Sequence, residues 1–178
     1  MSIYKHYVIT DYDAYFEDIQ PQIEELLREY LPDDSDGHFS IALDEVVCNA
    51  VRYAVKPEQL KITLTVMINC EDMVVSVASE TEKWDVMSFK KRLEFLAANS
   101  EIQTKEWGEY VTDEKVGGRG FWLILMACEC VFVDVDTHKV TLVCRRPYTE
   151  NQVTKEIQAL VPRLLLEREG VVLRYAIS

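Results

Sequence analysis

The stretch Leu43–Ala54, LDEVVCNAVRYA, decides how the rest of the chain is read. Placed at about 100° per residue, Phe39, Leu43, Val46, Val47, Ala50 and Ala54 fall on one broad stripe. A helix is predicted from about Phe39 to Val55, with that stripe packed on a sheet. Lys56-Pro57 ends it, because proline removes a donor and clashes with the preceding turn. Glu45, Cys48, Asn49 and Arg52 fall on the opposite side, spaced i, i+3, i+4 and i+7, and so form one line of neighbours. Such a line has two readings. It is the solvated face of an amphipathic helix, or it is functional. In the second case a carboxylate accepts a proton from an attacking group, and an amide oxygen ligates magnesium, a cation that prefers oxygen.

The flanking sequence predicts the architecture. Tyr4–Thr10 alternates weakly, as an edge strand does. Asp11 or Asp13 caps a helix that runs to about Tyr30 with Ile19, Ile23, Leu26, Leu27 and Tyr30 at helical spacing. The turn-forming run LPDDSDG separates it from the helix above. Two period-two strands follow, KITLTVMIN and MVVSVAS, joined by a turn at Cys70–Asp72. DVMSFKKRLEFLAAN reads as a short helix, SEIQTKEWGEYVTDEK as a loop and FWLILMACE as a helix. The strands CVFVDVD and KVTLVCRR close the series. This order predicts an α+β fold: a two-layer sandwich of a mixed, mostly antiparallel sheet with helices on one face. Residues 1–148 form the domain. Residues 149–178 are an extension, packed on the same domain or at a dimer interface. It reads as a helix through Ile157, Leu160, Val161, Leu164 and Leu165, kinked or restarted at Pro162, then a strand VVLRYAI.

Composition narrows the function. The chain has 178 residues, 48% hydrophobic and 28% charged, enough for one good core. Its formal net charge is -12, which repels phosphate backbones and argues against nucleic-acid binding. A bound nucleotide stays compatible with it, since local donors and a metal ion outweigh net charge. The longest apolar run, FWLILMAC, is far short of the roughly 18 residues of a membrane span. The first residues lack a basic start followed by an apolar run. A cytoplasmic protein away from membranes is expected. Five irregularly spaced cysteines read as free thiols, and the Cys128-x-Cys130 pair lacks the second pair of a zinc site.

A second motif is VGGRGFWLI, Val116–Ile124. Its glycines let backbone amides approach a ligand closely and lead into a helix N-terminus, where unpaired N–H groups attract phosphate. The plainer reading is a hinge before a helix.

Together the two motifs resemble the GHKL superfamily of ATPases, which have the Bergerat fold, and within it the bacterial anti-sigma-factor serine kinases. IALDEVVCNAVRYAV resembles that family's N box, and GGRGFWLILMACECVFVD its second glycine box with the helix and strand that follow. The likeness covers Tyr4–Arg145. It implies bound ATP and Mg2+, with Glu45 as general base and Asn49 as magnesium ligand. Asn49, Arg52, Ser79, Gly117, Gly118, Arg119, Gly120 and Phe121 would contact nucleotide, under a lid between about Asp85 and Val116 that carries Trp107. The implied partners are a sigma factor or an antagonist of an anti-sigma factor, and a second copy in a homodimer.

The sequence also departs from the family. Aligning Trp84-Asp85 on its aromatic-aspartate pair puts Ser79 where the family has the adenine-binding aspartate. Thr81 and Lys83 then occupy two glycine positions, and Thr137-His138 stands for the glycine-threonine of the third glycine box. Two functions follow: an ATP-dependent serine/threonine kinase with a regulatory role, or a nucleotide-dead module on the same fold that acts by binding protein.

Overall fold

The computed structural model describes residues 2–34, 36–82, 85–99, 119–149, 153 and 156–167. Alternation builds its sheet. Strand β2 (Ile62–Ile68) turns Ile62, Leu64, Val66 and Ile68 to one side, and β3 (Asp72–Ser79) returns antiparallel to it. The Asn69 side chain holds that hairpin by accepting from Glu71 N–H and Asp72 N–H, both at 2.7 Å. Strand β1 (Ile3–Ile9) pairs with β2, and β5 (Val140–Arg145) pairs with β3 on its other side. Strand β4 (Cys130–Asp134) is antiparallel to β5, and β6 (Leu164–Glu167) is parallel to β4. The order is β1-β2-β3-β5-β4-β6, a mixed and mostly antiparallel sheet, as the sequence order implied. The register lines up Val66, Val75, Leu142, Val131 and Leu164 across five strands, all fully buried. On the other face, Ser76 and Thr141 are directly paired, and their hydroxyls hydrogen-bond at 2.9 Å.

The helices lie against the row of Val66 and Leu142. Helix α3 (His38–Arg52) buries Phe39, Ala42, Leu43, Val46, Val47 and Ala50. Its N-cap is Gly37, whose positive φ of 67° suits glycine and whose lack of a side chain leaves no cap. Asp34 supplies the cap instead: its carboxylate accepts from His38 N–H at 2.9 Å and Phe39 N–H at 3.0 Å. Before it come a short helix α1 (Tyr12–Ala14), a π-helical turn (Tyr15–Ile19) and α2 (Gln20–Tyr30), continuous in chain and capped by Asp11. Helix α4 (Val86–Ala98) packs edge-to-face through Phe89 on Phe121 and Trp122 of α5 (Arg119–Ala127).

Two expectations are corrected. Helix α3 stops at Arg52, not near Val55. Ala54 leaves the apolar stripe to form a β-bridge with Thr81, while Val55 N–H donates to Glu80 O and Glu82 N–H to Tyr53 O. The chain leaving β3 thus offers the helix end the hydrogen bonds that a further turn would have made. The helix expected through Leu165 also ends early. It is a single turn, α6 (Ile157–Leu160), followed by a 3-10 turn at Val161–Arg163 and then β6. Pro162 ends the helical pattern, and Leu164 and Leu166 pair beside β4. The strand expected at VVLRYAI and the loop SEIQTKEWGEYVTDEK with Trp107 lie outside the described residues. Among the described residues, no helix is long and apolar enough to cross a membrane.

The segment after β5 is fastened by two cations, Arg163 and Lys90. Arg163 Nη1 donates to Leu125 O and Met126 O at 3.2 and 3.1 Å, in the last turn of α5, and to Cys128 O just beyond it at 2.7 Å. Lys90 Nζ of α4 donates to Leu164 O at 3.0 Å. Replacing Arg163 by Met keeps the apolar stem and removes the donors. Urea unfolding is expected to show a loss of about 1.5–3 kcal/mol, the range for bonds to a charged group. A loss within experimental error would mean that these carbonyls are served equally well by water.

Candidate functional site

Helix α3 carries two adjacent carboxylates that have different surroundings. Asp44 Oδ1 accepts from the Tyr15 hydroxyl at 2.7 Å and Oδ2 from Gln20 Nε2 at 2.8 Å. Tyr15 and Gln20 are five residues apart, a spacing that splays side chains on an α-helix, where neighbours are three or four apart. The π turn corrects this. Gln20 N–H bonds to Tyr15 O, an i to i+5 bond, and one helical turn then brings both side chains to one carboxylate. Burial pushes the Asp44 carboxyl above its ordinary value, against the opposing pull of the bonds from Tyr15 and Gln20. Burial and the neighbouring carboxylate drive the Tyr15 hydroxyl far above the usual tyrosine range, so it stays a donor. The sequence gives no sign of this clamp, because a π turn has no clear signature and Asp44 borders the apolar stripe.

Glu45 faces α5. A methyl group built on Gly120, the second residue of α5, would overlap Oε1, Cδ and Cγ of Glu45. The carboxylate therefore lies directly against the Gly120 α-carbon, and a residue with a side chain would evict it. The structure thus joins two motifs separated by some seventy positions in the sequence: the acid of α3 and the glycine at the mouth of α5. Asn49 lies one turn after Glu45 on α3 and is partly buried. Cys48, between them, lies 3.4 Å from the Tyr12 hydroxyl. Arg52 ends the helix and is exposed. The predicted line is thus present as a line, but at Glu45 it is covered by α5 and at Cys48 by α1.

The other predicted residues divide. Ser79 ends β3, directly paired with Ile62, on the helix-facing side of the strand with Met73, Val75 and Val77. It stands just before the segment that bridges to Ala54 at the end of α3. Thr81 there contacts the β4–β5 turn: its hydroxyl is 3.3 Å from His138 Nδ1. His138 has a positive φ of 57°, and Asp134 Oδ1 fixes its turn by accepting from Asp136 N–H and Thr137 N–H. Two positions where the sequence lacks the expected glycine-box residues are therefore in contact. Phe121 is buried against Phe89. Gly117 and Gly118 lie outside the described residues, whereas Arg119 and Gly120 open α5.

A cavity of about 380 Å³ lies elsewhere. Asp72, Cys130, Val143 and Arg145 line it on the opposite sheet face. On β3, Asp72 and Ser79 are seven residues apart, about 23 Å at roughly 3.3 Å per residue. The cavity is not part of the α3–α5 site. Among the described residues, no group of three His, Cys, Asp or Glu side chains is placed to hold a metal ion. Compared with models of known protein families and with curated proteins, the sequence gives no significant match.

The Asp44 clamp gives a pH signature. A carboxyl raised in the fold binds more protons there than in the unfolded chain. Stability from this group therefore falls as pH rises from the ordinary carboxylate value through the raised one. Tyr15→Phe removes a bond to the ionised form and raises the carboxyl further. At about pH 7 the variant is expected to be about 1.5–3 kcal/mol less stable. Denaturation at lower pH should show the gap closing as Asp44 becomes protonated in both proteins. A gap that is the same at all pH values would mean that the lost energy is ring packing rather than the bond.

Proposed function

We propose that this protein is an ATP-binding regulatory protein with a histidine-kinase-like ATPase domain, acting as a serine/threonine protein kinase. The reading rests on one observation: the carboxylate of Glu45 lies against Gly120, at the N-terminal turn of α5. A base needs to be within reach of the phosphates it serves, and a helix N-terminus attracts phosphate. Glycine at this position leaves the room that both require.

In this reading Glu45 accepts the proton of the attacking seryl hydroxyl. The backbone amides at the N-terminal turn of α5 hold phosphate oxygens, and Ser79 offers its hydroxyl to the adenine. The α3 amide suits a magnesium ion, because an Asn oxygen is a hard donor and such ions keep several waters and take substrate phosphates as further ligands. Asn49 would hold it, and the ion would supply charge neutralisation for the transferred phosphoryl group. The protein partner is a regulatory factor, such as a sigma factor or an antagonist of an anti-sigma factor. A cytoplasmic homodimer is consistent with the same reading.

A second reading has its own observation. Thr81 and His138 meet where the resembled family keeps glycines open for adenine, which favours a module that binds protein without nucleotide. Thermal unfolding with and without Mg-ATP separates the two. Nucleotide at about 100 times its dissociation constant stabilises the fold by roughly 2.7 kcal/mol. A clear upward shift in Tm is expected, and no shift at millimolar Mg-ATP would turn the choice to the second reading. In a protein that does turn over ATP, Glu45→Ala is expected to lose turnover by about 100-fold or more, the scale of general-base catalysis. Gly120→Ala should lose turnover too, with a stability change under about 1 kcal/mol, since helix propensity gained offsets the shifted Glu45. Full turnover in either variant would remove Glu45 from the assignment.

A further inference from the structure

The cavity on the outer sheet face presents both signs of charge around an apolar floor. Val143 and Cys130 form that floor, directly paired on β5 and β4, with Val143 buried and Leu165 of β6 as a wall. Around it stand two carboxylates and two guanidiniums, Asp72, Glu129, Arg145 and Arg163. Their formal charges cancel, in a chain whose net charge is -12. Asp72 and Arg145 are directly paired across β3 and β5. Burial raises the Asp72 carboxyl against the pull of Arg145, and burial lowers the Arg163 guanidinium. Both signs are thus partly withdrawn from water, where a partner of opposite charge is worth more.

Such a surround selects by charge. A phosphate chain meets the repulsion of Asp72 and Glu129, and a simple cation meets that of the two guanidiniums. A molecule that carries one charge of each sign meets neither penalty. Arg163 is already fixed by its three bonds from Nη1. A guanidinium has five N–H donors, so it can bond a carboxylate while keeping that hold, and little ordering is left for a ligand to impose. The volume of about 380 Å³ falls within the span of small-molecule sites, about 300–1,000 Å³. We propose that this cavity binds a free aliphatic α-amino acid, with its carboxylate on Arg145 and Arg163, its ammonium on Asp72 and Glu129, and its side chain on the Val143 floor. The site is independent of the nucleotide reading, since it lies across the sheet from the helices that carry Glu45 and Gly120. A ligand there links β3 and β5 to Arg163, just before β6, and so fastens the segment after β5 once more.

The test is thermal unfolding of the full chain with L-alanine, L-valine or L-leucine at about 10 mM, since a ligand of the folded state raises Tm. Calorimetric titration follows with the amino acid that raises Tm most. Its N-acetyl derivative lacks the ammonium, and its amide lacks the carboxylate. At least one amino acid is expected to raise Tm. Both derivatives are expected to bind about tenfold or more weakly, the scale of hydrogen bonds to a charged group. Arg145→Gln and Asp72→Asn should weaken binding of the free amino acid as much, in proteins whose circular dichroism matches the parent's. No shift with any of the amino acids would overturn the proposal. So would a derivative that binds as well as the free amino acid, or full affinity in either folded variant, which would put the binding elsewhere. Should a variant not fold, the two derivatives decide the matter in the parent chain. None of these measurements contains nucleotide, so their outcome leaves the Mg-ATP experiment untouched.

Discussion

The structure depends on α3 being unable to roll. One side of this helix is fixed by apolar contact, with Phe39, Leu43, Val46, Val47 and Ala50 buried under it. Hydrophobic contact alone is non-directional, and a helix held only by it can rotate or slide by small amounts. The two bonds to Asp44 remove that freedom, since each carboxylate oxygen is tied to a different residue of the N-terminal helical segment. The neighbouring residue, Glu45, therefore projects at a fixed angle toward α5. The position of the candidate base is set by the residue beside it, and that residue is set by a π turn some twenty-five positions earlier in the chain.

The two carboxylates of this acidic pair show how little a sequence position says by itself. They are adjacent, chemically almost equal and both partly buried. One is spent on holding two helices together. The other meets a glycine across a helix interface. What separates them is about 100° of helical rotation, which turns one toward α2 and the other toward α5.

Much of the fold was legible because it follows from period. Alternation in KITLTVMIN and MVVSVAS made the hairpin legible; its register, with Val66 opposite Val75, comes from the structure. The stripe on α3 was legible for the same reason. Its end was not, because the residues that stop it, Glu80 and Thr81, lie in a distant segment. The tail is ambiguous in sequence for the same reason: Leu164 and Leu165 fit a helical stripe as well as they fit a strand, and pairing with β4 decides between them. For the site, the sequence supplied the line Glu45, Cys48, Asn49 and Arg52. It did not supply the partners that cover that line. Tyr12, Tyr15 and Gln20 look like ordinary members of an amphipathic helix until its one π turn is known.

Strand β6 has a consequence for how the protein is made. It is the last strand of the described chain, and it lies parallel on β4, the strand that would otherwise end the sheet. While the chain emerges from the ribosome, β4 and β5 are complete some twenty residues before Leu164–Glu167 arrive. Through that interval β4 presents an unpaired edge, and the C-terminal carbonyls of α5 lack Arg163. An open strand edge of this kind is where nascent chains join one another. The closing segment thus acts as a seal: the nascent chain is exposed to association at β4 from the completion of β5 until Leu164–Glu167 pair with it.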